Sequence, residues 1–327
     1  MGLFSRFSAC FRSTSQLDPD TQAGLGRVAD LVGKALGVTP GFAARLTEPV
    51  RHARAFCAQI VDALPPPVTV NRQGFASDPL VHALFASADD IGTMLATSGQ
   101  VRAYLAEPPL QQEDGFIALM AARRVDKRVF GVALQGEVVV ADVPQTLLQF
   151  SNQTLILPAE DIASARNTFL KAAFDSLLLT FSGHLAHARE AYSALQIERE
   201  MERTSQRCQP AGAPFPERRI AALDERLQQQ FQSLQPEAVI AELAGFLMQP
   251  EQALGLDPVR LWVTRRGVIQ EEAAHDADAA SVCFMELKSR DRRRHLVLPV
   301  RVRYDEAQEA LARAKETRAE REYMLLL

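Results

Sequence analysis

The chain has 327 residues, with 36 basic and 40 acidic side chains, a net charge of −4 and 47% hydrophobic residues. These values fit a globular protein and exclude a collagen-like, low-complexity or wholly disordered chain. The near-neutral balance excludes a surface that is basic throughout, and no uncharged apolar run reaches the roughly 18 residues of a transmembrane helix.

Residues 1–20 read as a flexible tail. Leu3, Phe4, Phe7 and Phe11, with Arg6 and Arg12, would share an apolar and cationic helical face. That pattern suits a peripheral membrane contact through residues 1–17.

Residues 21–158 are expected to form a helical segment that ends in a small antiparallel β-meander. A helix over 21–37 carries Val28, Leu31, Val32 and Leu36 on one stripe. Thr39-Pro40 and Asp78-Pro79 are helix starts, each a capping side chain followed by proline at the first helical position. The helix after Pro40 is expected to bury Phe42, Leu46, Val50, Phe56, Ile60 and Leu64, to kink or break at Pro49 and to stop at Pro65-Pro66-Pro67. Ser87-x-x-Asp90 has the form of a capping box. A further helix is expected over 116–124. Residues 128–134 and 137–143 flank Gln135-Gly136, and 146–150 and 154–157 flank Ser151-Asn152-Gln153. Two hairpins, hence four strands, is the economical reading.

Residues 159–235 are expected to form a long helical hairpin. From 160 to 207 there is no proline, and the segment would be about 70 Å long as one helix. Its first half is apolar on most sides, whereas Glu198 to Arg203 is charged all round, so the second half should meet solvent or a partner. The helix from Pro216 carries Ile220, Leu223, Leu227, Phe231 and Leu234 close to a coiled-coil seam. Leu195, Leu223, Leu227, Phe231 and Leu234 are the expected partner contacts. Residues 236–327 read as an α+β domain, with a helix from Pro236, strands over 260–264, 280–287 and 296–304, and a charged helix over 305–321. The fold class expected for the whole chain is α+β, helix-dominated.

Cys10, Cys57, Cys208 and Cys283 contain no C-x-x-C pair, so neither a zinc ribbon nor a disulfide framework is expected. A reducing cytoplasm is the simplest compartment. Gly24-x-Gly26 and Gly33-Lys34 do not make a phosphate loop: Val28 stands where glycine is needed, and Ala35 where a hydroxyl is needed. Those glycines instead suit close helix packing. No Gly-x-Ser-x-Gly elbow or cysteine–histidine signature occurs, and no cofactor is predicted.

Two side-chain sets remain. His184, His187 and Glu190 lie at i, i+3 and i+6 of the long helix and include metal-ligand types, which would suit a metal-dependent enzyme. Lys288, Arg290, Arg292, Arg293, Arg294, Arg301 and Arg303 are opposed only by Asp291 across 288–303. An arginine-rich β-hairpin there could bind nucleic acid along its phosphates. The leading expectation is a non-catalytic cytoplasmic interaction or regulatory protein that acts through the helical hairpin, with self-association as one route. Nucleic-acid binding and the metal enzyme stand behind it.

Overall fold

The computed structural model describes residues 18–107, 114–135, 138–207, 215–271, 278–288 and 294–324. In chain order the helices are α1 (Pro19–Leu31), α2 (Lys34–Gly37), α3 (Phe42–Asp62), α4 (Arg72–Ser77), α5 (Pro79–Leu84), α6 (Ala88–Thr97) and α7 (Gly99–Ala106). Four more follow: α8 (Ile162–Arg207), α9 (Phe215–Ser233), α10 (Pro236–Leu247) and α11 (Tyr304–Met324). The strands are β1 (Val68–Thr69), β2 (Gly115–Gln135), β3 (Val138–Ala159), β4 (Gly255–Thr264), β5 (Ile269–Gln270), β6 (Ala279–Lys288) and β7 (Arg294–Arg303). The fold is α+β and helix-dominated. It divides into two compact units, each made of two separated stretches: Met1–Ala58 with Ala172–Ala253, and Gln59–Lys171 with Leu254–Leu327. Two of the three boundaries fall inside helices, α3 and α8.

The first unit is helical. Asp18 starts α1: its carboxylate accepts hydrogen bonds from Thr21 N at 2.8 Å and Thr21 Oγ1 at 2.7 Å. Those donors hold Asp18 below its ordinary pKa. Gly24 lets α1 approach α3, since a Cβ there would stand 2.6 Å from the Val50 side chain. Pro49 lies within α3. The expected stripe holds as far as Val50 and then shifts: Ala53, Cys57 and Val61 are buried, and Phe56 and Ile60 are only half-buried. Steps of three and four keep to one face of a 3.6-residue helix, whereas the step from Val50 to Phe56 leaves it. Burial pushes the Cys57 thiol up to about 12, against a smaller opposing pull from Arg54. Cys283 is exposed on β6. With Cys10 and Cys208 replaced by serine, a thiol-specific reagent is expected to modify one cysteine in the native protein and two in urea. Two modified in the native protein would contradict the buried placement.

The second unit holds a seven-stranded sheet in the order β3-β2-β7-β6-β4-β5, with β1 paired in parallel to β7. The other pairings are antiparallel. The expected meander is a single long hairpin. The 116–124 segment is not helical but the first half of β2, held between β3 and β7. The Ser151-Asn152-Gln153 turn signal is a bulge on a continuing strand. Three register shifts occur along β3, and each has one residue at positive φ: Asp142 at 61°, Asn152 at 55° and Leu157 at 55°. An extra residue on one strand bends it and increases its twist. The sheet curls until its two ends meet: Leu147 bridges Val268, and Leu148 N donates to Gly267 O at 2.8 Å. Gly267 has φ +83°, and its α-carbon side faces Leu148 O closely enough that a Cβ would stand 3.3 Å away.

Further along β3, α7 and the residue before it cap the strand edge. Ser98 Oγ accepts from Leu155 N at 3.0 Å, and Gln100 Oε1 accepts from Leu157 N at 2.6 Å. An edge strand covered in this way has fewer free groups for mispairing. One face of the sheet packs on α5, α6 and α11 through Leu84, Ile91, Leu95, Phe116, Met120, Leu298 and Ala307. Two helix starts read from the sequence are present, whereas Thr39-Pro40 precedes α3, which begins at Phe42, and Thr39 Oγ1 donates to Ala35 O at 3.1 Å instead of capping that helix. Asp78 Oδ1 accepts from Leu80 N and Val81 N, and Ser87 N donates to Asp90 Oδ2 at 2.8 Å.

Glu306, in the first turn of α11, has a buried Oε2 with no partner among the described residues. Burial is the main cause that raises its pKa above the ordinary 4.5, with a backbone hydrogen bond from Arg72 opposing it. A raised folded-state value means that the folded protein holds this proton more tightly than the unfolded chain. The contribution is therefore present below the unfolded value and is lost as pH rises through the folded one. Glu306→Gln is expected to raise the thermal midpoint at pH 7, with the gain disappearing in acid. An equal gain at both pH values would show that the charge is not responsible.

Candidate functional site

Within the first unit, α8 and α9 form an antiparallel hairpin. Tyr192 and Phe231 rings lie 6.3 Å apart, Arg199 meets Asp224 at 3.3 Å, and Arg219 meets Glu198 at 3.4 Å and Glu202 at 3.7 Å. Residue numbers rise on one helix as they fall on the other. The charged distal half of α8 thus has an intrachain counterpart. Glu198, Arg199, Glu202 and Arg203 are matched by Arg219 and Asp224. Half-exposed pairs of this kind add little stability and mainly set register.

Of the expected partner contacts, Leu223 and Leu227 are buried within the hairpin, Leu195 and Leu234 are half-buried, and Phe231 is more than half exposed. The seam read from the sequence is therefore occupied by the chain itself. The surface of α8 that no described residue covers lies opposite. At 100° per residue, Leu179, Ala186, Glu190 and Ile197 fall within about 20° of one line, flanked by Gly183, Ser193, Ala194 and Met201. All eight are exposed, including Leu179, Ile197 and Met201. The residues that meet α9 or the core, such as Phe181, Leu185, Leu195 and Arg199, lie on the far side of the helix. A solvated helix face this long normally carries many charges; this one carries Glu190 and, at one edge, Glu200.

The histidine set does not converge. His184 is half-buried and meets the Phe246 ring edge-on at 6.1 Å, whereas His187 and Glu190 stand in solvent with 4.0 Å between Nδ1 and Oε2. Successive steps of three rotate these side chains by about 120° around α8 in total. Among the described residues no three His, Cys, Asp or Glu side chains are placed to hold a metal ion.

Of the basic set, Arg290, Arg292 and Arg293 lie outside the described residues, as does the side chain of Lys288. Arg294 meets Asp126 at 3.4 Å and Arg303 meets Asp305 at 2.6 Å, so two of the described cations have carboxylate partners. Arg301 is exposed on β7. Residues 1–17, with the aromatic set expected to touch membrane, also lie outside the described residues. No described helix is long and apolar enough to cross a membrane. No known protein family, curated protein or solved structure matches this chain.

Proposed function

We propose that the chain is an interaction protein that associates with a second copy of itself through the outer face of α8. One observation carries this reading: the exposed stripe is self-complementary about Glu190. In an antiparallel pair centred there, Leu179 faces the partner's Met201, Gly183 faces the partner's Ile197, and Ala186 faces the partner's Ala194. The pairs fall at matching heights along the axis, and Gly183 leaves room for the partner's Ile197, as an isologous two-fold contact requires. The face is also nearly free of charge, which lowers the cost of removing it from water.

Light-scattering mass across a dilution series tests the reading. The expected result is a dimer at high concentration that dissociates on dilution, with Ile197→Glu monomeric throughout. A wild-type protein that is monomeric at every concentration, or an Ile197→Glu variant with unchanged mass, would remove this interface.

A further inference from the structure

The second unit contains a cavity of about 910 Å³ at the seam where the curled sheet closes. We infer that it binds a small amphipathic anion, a carboxylate or sulfonate on an alkyl or aromatic body. Its apolar walls come from Phe75 before α5, Leu147 and Phe150 on β3, and Val263 on β4. The volume lies within the range of small-molecule sites, which are typically apolar with a few placed polar groups.

The walls are pinned from several sides. His82 on α5 has Nδ1 3.2 Å from Phe75 O and Nε2 3.1 Å from Arg265 O, which ties the helix to the β4–β5 turn. The turn is tied to β3 through Gly267 and Leu148. Gln153 Nε2 donates to Leu84 O at 2.8 Å, which fixes the end of α5 against β3. A site held in this way is preformed, so a ligand spends little free energy on ordering it.

The charges on the lining select the ligand. Arg265 and Arg266 are exposed at the turn and form no ion pair with another described residue. Asp78 also lines the cavity, but its carboxylate caps α5 through the Leu80 and Val81 amides. Asp278 is the other carboxylate of the lining. Among the described lining residues, two guanidiniums against one available carboxylate favour an anionic head, and the aromatic and aliphatic walls favour an apolar body.

Calorimetric titration of the full chain with dodecanoate and with 1-anilinonaphthalene-8-sulfonate tests this. The expected result is saturable binding of one molecule per chain, with the two anions competing. Arg265→Gln with Arg266→Gln should weaken both anions roughly tenfold while dodecanol binds as before, because only the anions lose a charge-assisted contact. Ala83→Phe, which adds a ring to the wall, should abolish binding with the circular dichroism spectrum unchanged. Ile197→Glu should leave binding intact, which separates this site from the α8 face. No saturable binding of either anion would overturn the inference. So would anion affinities untouched by the arginine substitutions, or an equal loss for dodecanol.

Discussion

Replacing Arg124 with methionine is expected to destabilise the sheet-bearing unit by about 3–5 kcal/mol. Arg124 lies on β2 with its side chain only 7% exposed. It donates to both Asp126 carboxylate oxygens, at 2.8 Å and 3.0 Å, and to Glu286 Oε1 at 3.3 Å. Its guanidinium carbon also sits 5.9 Å from the Phe284 ring centre. Among the described residues Glu286 is the one buried charged residue. Methionine fills similar volume but leaves that carboxylate in a poorly solvated place with no counter-ion. Asp126 suffers less, because Arg294 stays within 3.4 Å. The cost is thus mainly that of an abandoned charge. Arg124→Met combined with Glu286→Leu should recover more than half of the loss. Urea denaturation of the two single variants and the double variant checks this. A single-variant loss below about 1 kcal/mol would mean that water reaches Glu286 and that the pair does not hold the sheet together.

The parts of the fold legible in the sequence are those whose signals are local. Asp78-Pro79 and Ser87-x-x-Asp90 start helices because the capping groups lie within three residues of the amides they satisfy. The 116–124 segment was not legible as a strand. Phe116, Ile117, Ala118 and Met120 are all buried, so the run lacks the alternation that marks a half-exposed strand. Its neighbours on the two sides, β3 and β7, come from far along the chain. Ser151-Asn152-Gln153 misled for a different reason. Asparagine tolerates positive φ in a turn and in a bulge alike, and only pairing partners distinguish the two.

The candidate sites divide along the same line. Leu223 and Leu227 are buried, but their spacing does not say whether the opposing helix belongs to the same chain. Once α9 occupies that side of α8, the stripe through Leu179, Gly183 and Ile197 is what remains open. The cavity had no sequence signal, because its lining comes from helix, turn and strand segments spread between Phe75 and Ala280.

Two substitutions on the open stripe should move self-association in opposite directions. In the antiparallel arrangement Glu190 sits at the two-fold axis and faces the partner's Glu190. Like charges at close range across an interface oppose association, and salt screens the repulsion. Glu190→Ala is therefore expected to tighten the dimer roughly tenfold at low salt, with the advantage shrinking as salt is added. Gly183→Leu should do the reverse. A Cβ at Gly183 meets nothing within 4 Å among the described residues, and the position is exposed, so leucine is expected to be tolerated in the isolated chain. Leucine is also the better helix former by up to about 1 kcal/mol, so the monomer should become slightly more stable. In the dimer, however, it fills the space that the partner's Ile197 needs, and association should weaken at least tenfold. A substitution that stabilises the fold while breaking the assembly is hard to attribute to damage elsewhere. Sedimentation velocity at two salt concentrations, with thermal midpoints on the same samples, reads both effects. If Gly183→Leu left the dimer intact, the stripe could pair, if at all, only in another register, and the two-fold at Glu190 would be excluded.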